Sequence, residues 1–327
     1  MRALLFTRPA PDSSASVVVD VPPPTATPGR LVIDVEHAGV NFVDVMARRG
    51  DPGYVVDWPH PPGLEVVGLV AHVSEGSGFH PGERVAAHTG RGGLAEQVVA
   101  EESLTRHVPD QVGGPAAAIA PLTLATALLL VGGAAPRGED LSLLMHSAGG
   151  GVGAAVAQVA PLLGVSRLVG TVGSEKRRRQ AHEAGWPEVV LRGDDLDDRL
   201  TSAAPGGFDL VLDPVGTLLS SDLRHLAAGG RVVVFGNPAG GALGSSPDLV
   251  ELIRANASVG GFSASRLAAA RPDRVGRALA DALEHLAASR VSVAVDVVDG
   301  LEQVPAVLDA LATGRHAGKS VVRLHPA

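Results

Sequence analysis

Leu143-Leu-Met-His-Ser-Ala-Gly-Gly-Gly-Val-Gly153 runs straight into Ala154-Ala-Val-Ala-Gln-Val159. An apolar run, a glycine cluster and a row of small residues read as strand, tight turn and helix. Glycine lets the backbone approach a pyrophosphate closely. The N-terminus of a helix offers free N–H groups and the positive end of its dipole. Set against G-x-G-x-x-G, the register is Ala148, Gly150 and Gly153, so the first glycine is missing. Ser147, Gly150, Gly151, Val152 and Gly153 are the candidates for pyrophosphate contact. The alternative is a glycine-rich turn with no ligand.

Outward from this stretch, apolar strands alternate with helical segments. The strands are expected at Ser142–Met145, Arg167–Val172, Glu188–Leu191, Asp209–Leu212, Arg231–Phe235 and Ser258–Gly261. The helices between them are expected at Val152–Leu163, Glu175–Ala184, Asp195–Ala203, Leu218–Ala227 and Pro247–Ala255, with Pro161 interrupting the first. Continuous apolar strands alternating with helices mark a doubly wound parallel sheet in an α/β protein. Residues 116–264 are assigned to this Rossmann domain, opening with a buried helix over Ala116–Leu130. The first 110 residues read differently. Short Val-, Leu- and Ala-rich strands (Arg2–Thr7, Leu31–Glu36, Val66–Ser74, Arg84–His88 and Ala95–Ala100) are punctuated by Gly and Pro, as in a small barrel or distorted sandwich. One helix, Phe42–Arg49, interrupts them. A long helix, Arg271–Ala288, precedes a tail of strand, helix and strand expected to fold back onto this module. The β-rich domain is thus 1–115 with 265–327.

Composition narrows the chemistry. The chain has 327 residues, 45% hydrophobic and only 19% charged, which excludes wholesale disorder and suits two domains. No apolar run is long enough to span a bilayer. With no export signal read at the N-terminus, a cytoplasmic location is expected. There is no cysteine, so disulfides, thiolate catalysis and cysteine-rich zinc sites are excluded. A net charge of −8 argues against binding nucleic acid through bulk charge. The 12 histidines form no H-x-x-x-H or H-E-x-x-H pair. His60, His72, His80, His88 and His107 read as structural or surface residues.

The ribose of a dinucleotide belongs at the end of the second strand, about 20 residues past the glycines. Gly173-Ser-Glu-Lys-Arg-Arg-Arg179 stands there. Ser174 with Lys176 and Arg177 suits a 2′-phosphate, hence NADPH. Arg178 and Arg179 read as the solvated face of a helix.

Several stretches now combine. Ala38-Gly-Val-Asn-Phe-Val-Asp44, Pro62-Gly-Leu-Glu-Val-Val-Gly68, Gly82-Glu-Arg-Val85, Gly92-Gly-Leu-Ala-Glu96, His146–Gly153, Gly173-Ser174, Asp209–Asp213, Gly230–Gly236 and Gly314–Lys319 follow one another in order. In that order the chain resembles the medium-chain dehydrogenases/reductases, in their zinc-independent quinone oxidoreductase (zeta-crystallin-like) branch. The resemblance covers nearly the whole chain. It implies a GroES-like catalytic domain interrupted by a Rossmann domain, and a homodimer. It also implies metal-free hydride transfer from NADPH to a quinone, an enone or a similar activated alkene. The zinc alcohol dehydrogenases of the superfamily carry Cys and His where this chain has Asn41 and Leu64. The resemblance places Asn41 beside the nicotinamide, as an amide donor to a substrate carbonyl, with Asp44 close behind as a site residue or only to orient its neighbours. Asn41 also reads as an N-cap of Phe42–Arg49. Tyr54, the sole tyrosine, falls in a loop bordering the active site, as substrate contact or proton donor or as a packed loop aromatic. Thr123, Phe235, Gly236, Phe262 and Ser263 fall near the nicotinamide. Arg192 stands where relatives have a tyrosine near the adenosine phosphate, either to replace that contact or to face solvent. Lys319 matches a basic position near the cofactor phosphate or the other domain. An enoyl-thioester reductase of polyketide type and a catalytically silent NADPH-binding protein are the alternatives.

Overall fold

A computed structural model describes residues 1–327 except 56, 135–139, 241–242, 244–246, 317 and 325–327. Part of the stretch 237–248 and one residue of the stretch 314–319 therefore lie outside the described residues. The chain forms two compact units, Met1–Ala125 with Ala264–Ala327, and Thr126–Ser263.

The second unit is an all-parallel six-stranded sheet. Its order across the sheet is Glu188–Leu191, Val165–Val172, Leu141–His146, Phe208–Asp213, Leu226–Val234 and Ser258–Gly261. Numbered along the chain this is 3-2-1-4-5-6, the Rossmann order, and it reverses between Leu141–His146 and Phe208–Asp213. The central strand Leu141–His146 is buried along its whole length, which is why it reads as a largely apolar run. Leu144, Val169, Leu200, Phe208, Val211 and Val232 pack one core cluster. The helix after the glycine turn ends at Val159. Pro161, which has no N–H to donate, starts a short 3₁₀ turn in its place. The expected helix Leu218–Ala227 shrinks to Leu219–Arg224, because strand pairing already begins at Leu226.

The first unit is built on a seven-stranded sheet in which Arg30–Val40 is central. That strand pairs with Glu65–Val73, Gln97–Glu101 and Lys319–Arg323, all antiparallel. The tail thus returns as expected, with Ser320 opposite Val40. Leu4, Phe6, Leu31, Ile33, Val66 and Leu308 are among its buried core. Two strands escaped the sequence reading. Ser16–Asp20 pairs with Arg2–Phe6, and Thr105–His107 pairs with Arg84–His88.

The expected single helix Ala116–Leu130 is three pieces: Gly114–Ala118, a π-helical turn Ala120–Leu124, and Ala125–Ala134. In the π turn the Leu124 N–H donates to Ile119 O at 3.0 Å. The N–H groups of Leu122 and Thr123 leave the helical ladder and find a carboxylate of the first unit. This ties residues up to 125 to that unit, beyond the expected boundary at 115.

Candidate cofactor site and active-site network

The first unit holds a buried polar network centred on Glu65, which the sequence reading had not singled out. Glu65 is the first residue of a largely apolar strand and is fully buried. A Cβ on Gly39 would stand 2.3 Å from Glu65 Oε1, so only glycine leaves room for this carboxylate. Glu65 accepts from Asn41 Nδ2 (3.1 Å), Thr123 Oγ1 (3.1 Å), Leu122 N (3.0 Å) and Thr123 N (3.1 Å). Lys319 Nζ stands 2.6 Å from Glu65 Oε1 and donates to Val40 O (2.8 Å) and Asn41 Oδ1 (2.7 Å). An ammonium has three hydrogens, and these three acceptors use them all. Lys319, expected near the cofactor phosphate or the other domain, is thus held in a buried ion pair of the first unit. A single Glu in a Val-rich strand, with an equally isolated Lys near the C-terminus, was the available signal: charges that are fully buried are nearly always paired.

Asn41 is the N-cap of the helix Phe42–Arg49, with Asp44 completing a capping box. Its two amide hydrogens go to Gly39 O (3.2 Å) and Glu65 Oε1 (3.1 Å). Both are thus engaged inside the first unit. The reciprocal half of the capping arrangement is present: Asp44 Oδ2 accepts the Asn41 N–H at 2.9 Å. Asp44 Oδ1 accepts the Gly63 N–H at 3.0 Å. Asp44 is fully buried. Burial pushes its carboxyl up to about 6, against the opposing pull of the two N–H bonds and the Lys319 charge. Buried, and bonded to backbone through both oxygens, Asp44 staples two loops together. Asn41, Asp44, Thr123 and Lys319 are thus drawn together, and Tyr54 stands apart from them. Tyr54 is 38% exposed, and its hydroxyl makes no hydrogen bond among the described residues. Partial burial and the nearby Asp51 raise its pKa, so it keeps its proton through the neutral range.

The remaining expected residues all follow strand ends on the carboxyl edge of the parallel sheet. The Gly150 N–H donates to Ser147 O at 3.0 Å, closing the turn. The helix Gly151–Val159 then begins, and the N–H groups of Gly151, Val152 and Gly153 have no acceptor within it. A Cβ on Gly153 would lie 2.5 Å from Ala148 O, so helix and turn touch backbone to backbone. The missing first glycine has a local explanation. A Cβ on Gly170 would meet the Ala148 methyl at 2.5 Å, so the space Ala148 takes is left by the neighbouring strand.

Ser174 caps the next helix, its hydroxyl accepting the Arg177 N–H at 3.3 Å. Lys176 is exposed. Arg177 lies against the glycine turn, and a Cβ on Gly149 would be 3.6 Å from its Cδ. Arg192 lies against the end of the second strand, and a Cβ on Gly173 would be 3.3 Å from its Nη2. Burial lowers the pKa of both guanidinium groups, which for Arg192 is offset by Asp213. These are partly desolvated cations beside a helix N-terminus, a setting made for phosphate. Phe235 and Gly236 follow the fifth strand. Phe262 and Ser263 follow the sixth, with the Phe262 N–H on Val234 O at 3.0 Å.

Two family descriptions match the chain: the alcohol dehydrogenase GroES-like domain over residues 27–110, and zinc-binding dehydrogenase over 151–280. The quinone oxidoreductase of Lama guanicoe is 34% identical over 226 residues, covering 67% of each chain. The chain belongs to the quinone oxidoreductase family. The quinone oxidoreductase of Rattus norvegicus is likewise 34% identical, over 66% of this chain and 67% of its own. Among solved structures, the mycobacterial protein Rv1454c, complexed with NADPH, is 29% identical. It aligns over 99% of this chain and 100% of its own with a TM-score of 0.88.

One of the matching descriptions is zinc-binding, and the residues here do not fit that ion. The Leu64 side chain offers no lone pair, and Asn41 Oδ1, the oxygen a cation would take, already accepts from Lys319 Nζ at 2.7 Å. The Lys319 ammonium already answers the Glu65 charge. Among the described residues no three His, Cys, Asp or Glu side chains converge on a metal position. No helix among them is long and apolar enough to cross a membrane.

Proposed function

We propose that this quinone oxidoreductase family member is an NADPH-dependent enzyme that passes hydride, without a metal, to a quinone, an enone or a similar activated alkene. The observation that carries the reading is the pair Arg177 and Arg192, half-buried beside a glycine turn and a helix N-terminus. That setting fits a pyrophosphate with a 2′-phosphate nearby. The bound cofactor supplies the hydride. The chain's own residues hold the pyrophosphate on the first-turn N–H groups, attract the 2′-phosphate through Arg192, Arg177 and Ser174, and keep the Asn41 loop rigid through Glu65 and Lys319. Tyr54 is the proton-bearing side chain open to a substrate.

One assay series tests this: oxidation of NADPH and of NADH with quinones, enones and enoyl thioesters, each with and without a chelator. NADPH should be preferred and chelation should leave rates unchanged. Arg192→Ala should weaken NADPH affinity about tenfold and spare NADH, since charge-assisted hydrogen bonds are worth about 1.5–3 kcal/mol. A chelator-sensitive enzyme, or equal affinity for the two cofactors, overturns the corresponding part. Cofactor binding without turnover of any acceptor leaves the silent reading instead.

A homodimer belongs to the same proposal. Ser258–Gly261 is an edge strand of the parallel sheet, and Leu249 and Ile253 on the preceding helix are 73% and 77% exposed. An open edge beside exposed apolar side chains suits pairing with a second copy. Sedimentation equilibrium showing a monomer at micromolar concentration would remove it.

A further inference from the structure

We propose that His146 is a positioning residue for dinucleotide binding, clamped between Thr171 and Asp222 so that the turn at Ser147 aims the helix N-terminus at the pyrophosphate. The inference rests on the dinucleotide reading above and adds to it a residue that touches no ligand.

His146 ends the first parallel strand and is fully buried. Its Nδ1 lies 2.7 Å from Thr171 Oγ1 on the second strand, and its Nε2 lies 2.7 Å from Asp222 Oδ1 on the helix after the fourth. Thr171 and Asp222 are also fully buried. One assignment of protons serves the whole chain: the Thr171 hydroxyl donates to Nδ1, and Nε2–H donates to the carboxylate.

The next residue explains what the clamp is for. Ser147 has φ 57°, in the left-handed region that non-glycine residues avoid. Such a conformation persists only where its surroundings over-determine it. Thr171 grips both sides of Ser147. Its side chain holds His146, and its carbonyl accepts the Ala148 N–H at 3.0 Å. The turn closes three residues on, when Gly150 N–H reaches Ser147 O. The direction of the Gly151–Val159 helix start is therefore set through His146.

The clamp is a poor device for stability alone. Asp222 Oδ2 is buried with no partner among the described residues, as is Asp213 Oδ2. An apolar trio of similar volume would avoid that cost. A geometric duty at the turn accounts for keeping it.

The test uses Thr171→Val and Asp222→Asn, which keep side-chain shape and remove one link each, with His146→Gln as a third variant. Dissociation constants for NADPH and NADH are measured by fluorescence well below each variant's melting temperature, together with kcat at saturating cofactor. Both cofactors should weaken by the same factor, about tenfold, because the pyrophosphate is common to them. The kcat at saturation should hold. This differs from Arg192→Ala, which should affect NADPH alone. Unchanged dissociation constants in folded Thr171→Val and Asp222→Asn proteins overturn the clamp and leave the cofactor reading standing. Wild-type protein that binds neither dinucleotide overturns both.

Discussion

Replacing Lys319 with methionine is expected to cost about 3–5 kcal/mol of folding stability, because it leaves the Glu65 carboxylate charged and unpaired in the interior. Lys319 and Glu65 are 4% and 0% exposed, and their charged atoms are 2.6 Å apart. The measurement is urea unfolding of wild type and variant at neutral pH. The double variant Lys319→Met with Glu65→Gln should recover part of the loss, since it removes the orphaned charge along with its partner. The variant also carries a pH signature. Lys319 helps hold Asp44 down, and without it the Asp44 pKa climbs above about 6. A carboxyl whose folded pKa exceeds its unfolded value keeps its proton longer in the folded state. Its contribution is therefore favourable below about pH 4 and is lost as pH rises through the folded pKa. The stability difference between variant and wild type should thus be larger at pH 7 than at pH 4.5. A loss under about 1 kcal/mol, with no pH trend, would show that this pair is not the keystone of the network.

Tyr54→Phe is expected to lower kcat/KM about 10²-fold with an α,β-unsaturated ketone and to change it little with a quinone. An enone that accepts hydride develops charge on its oxygen and must gain a proton, and a phenol held below its pKa can stabilise the one and supply the other. A quinone gives a well-stabilised hydroquinone anion and needs less help. Asn41 and Asp44 are already engaged, their polar hydrogens and oxygens bonded to Gly39, Glu65, Lys319 and Gly63. Steady-state kinetics with one acceptor of each class on a single variant decides the matter. Equal and small losses for both would make Tyr54 a packed loop aromatic and nothing more.

Much of the Rossmann unit was legible because its signals are local. The alternation of apolar strands with helices, the glycine cluster at 149–153 and the basic residues at 176–177 each lie within a short window, where period and residue type carry the information. Pro161 announced the end of its helix for the same reason: a missing N–H acts on its own turn. Ser16–Asp20 and Thr105–His107 were missed because they are short edge segments whose pairing comes from distant chain. The run 116–130 was misread as one helix because nothing within it reveals that a carboxylate from residue 65 accepts the N–H groups of Leu122 and Thr123.

The sequence by itself determined the two-domain plan, the absence of any cysteine chemistry and the candidates for a phosphate site, since composition and short motifs suffice for these. Tertiary structure alone decided which candidates are drawn into buried networks. It turned Lys319 and Asn41 inward onto Glu65, made Asp44 a staple, and set His146 between Thr171 and Asp222 beneath the turn. The partners in these networks stand between 2 and 279 residues apart in sequence. A side chain's hydrogens can be spent only once, and where they are spent is a property of the packed chain.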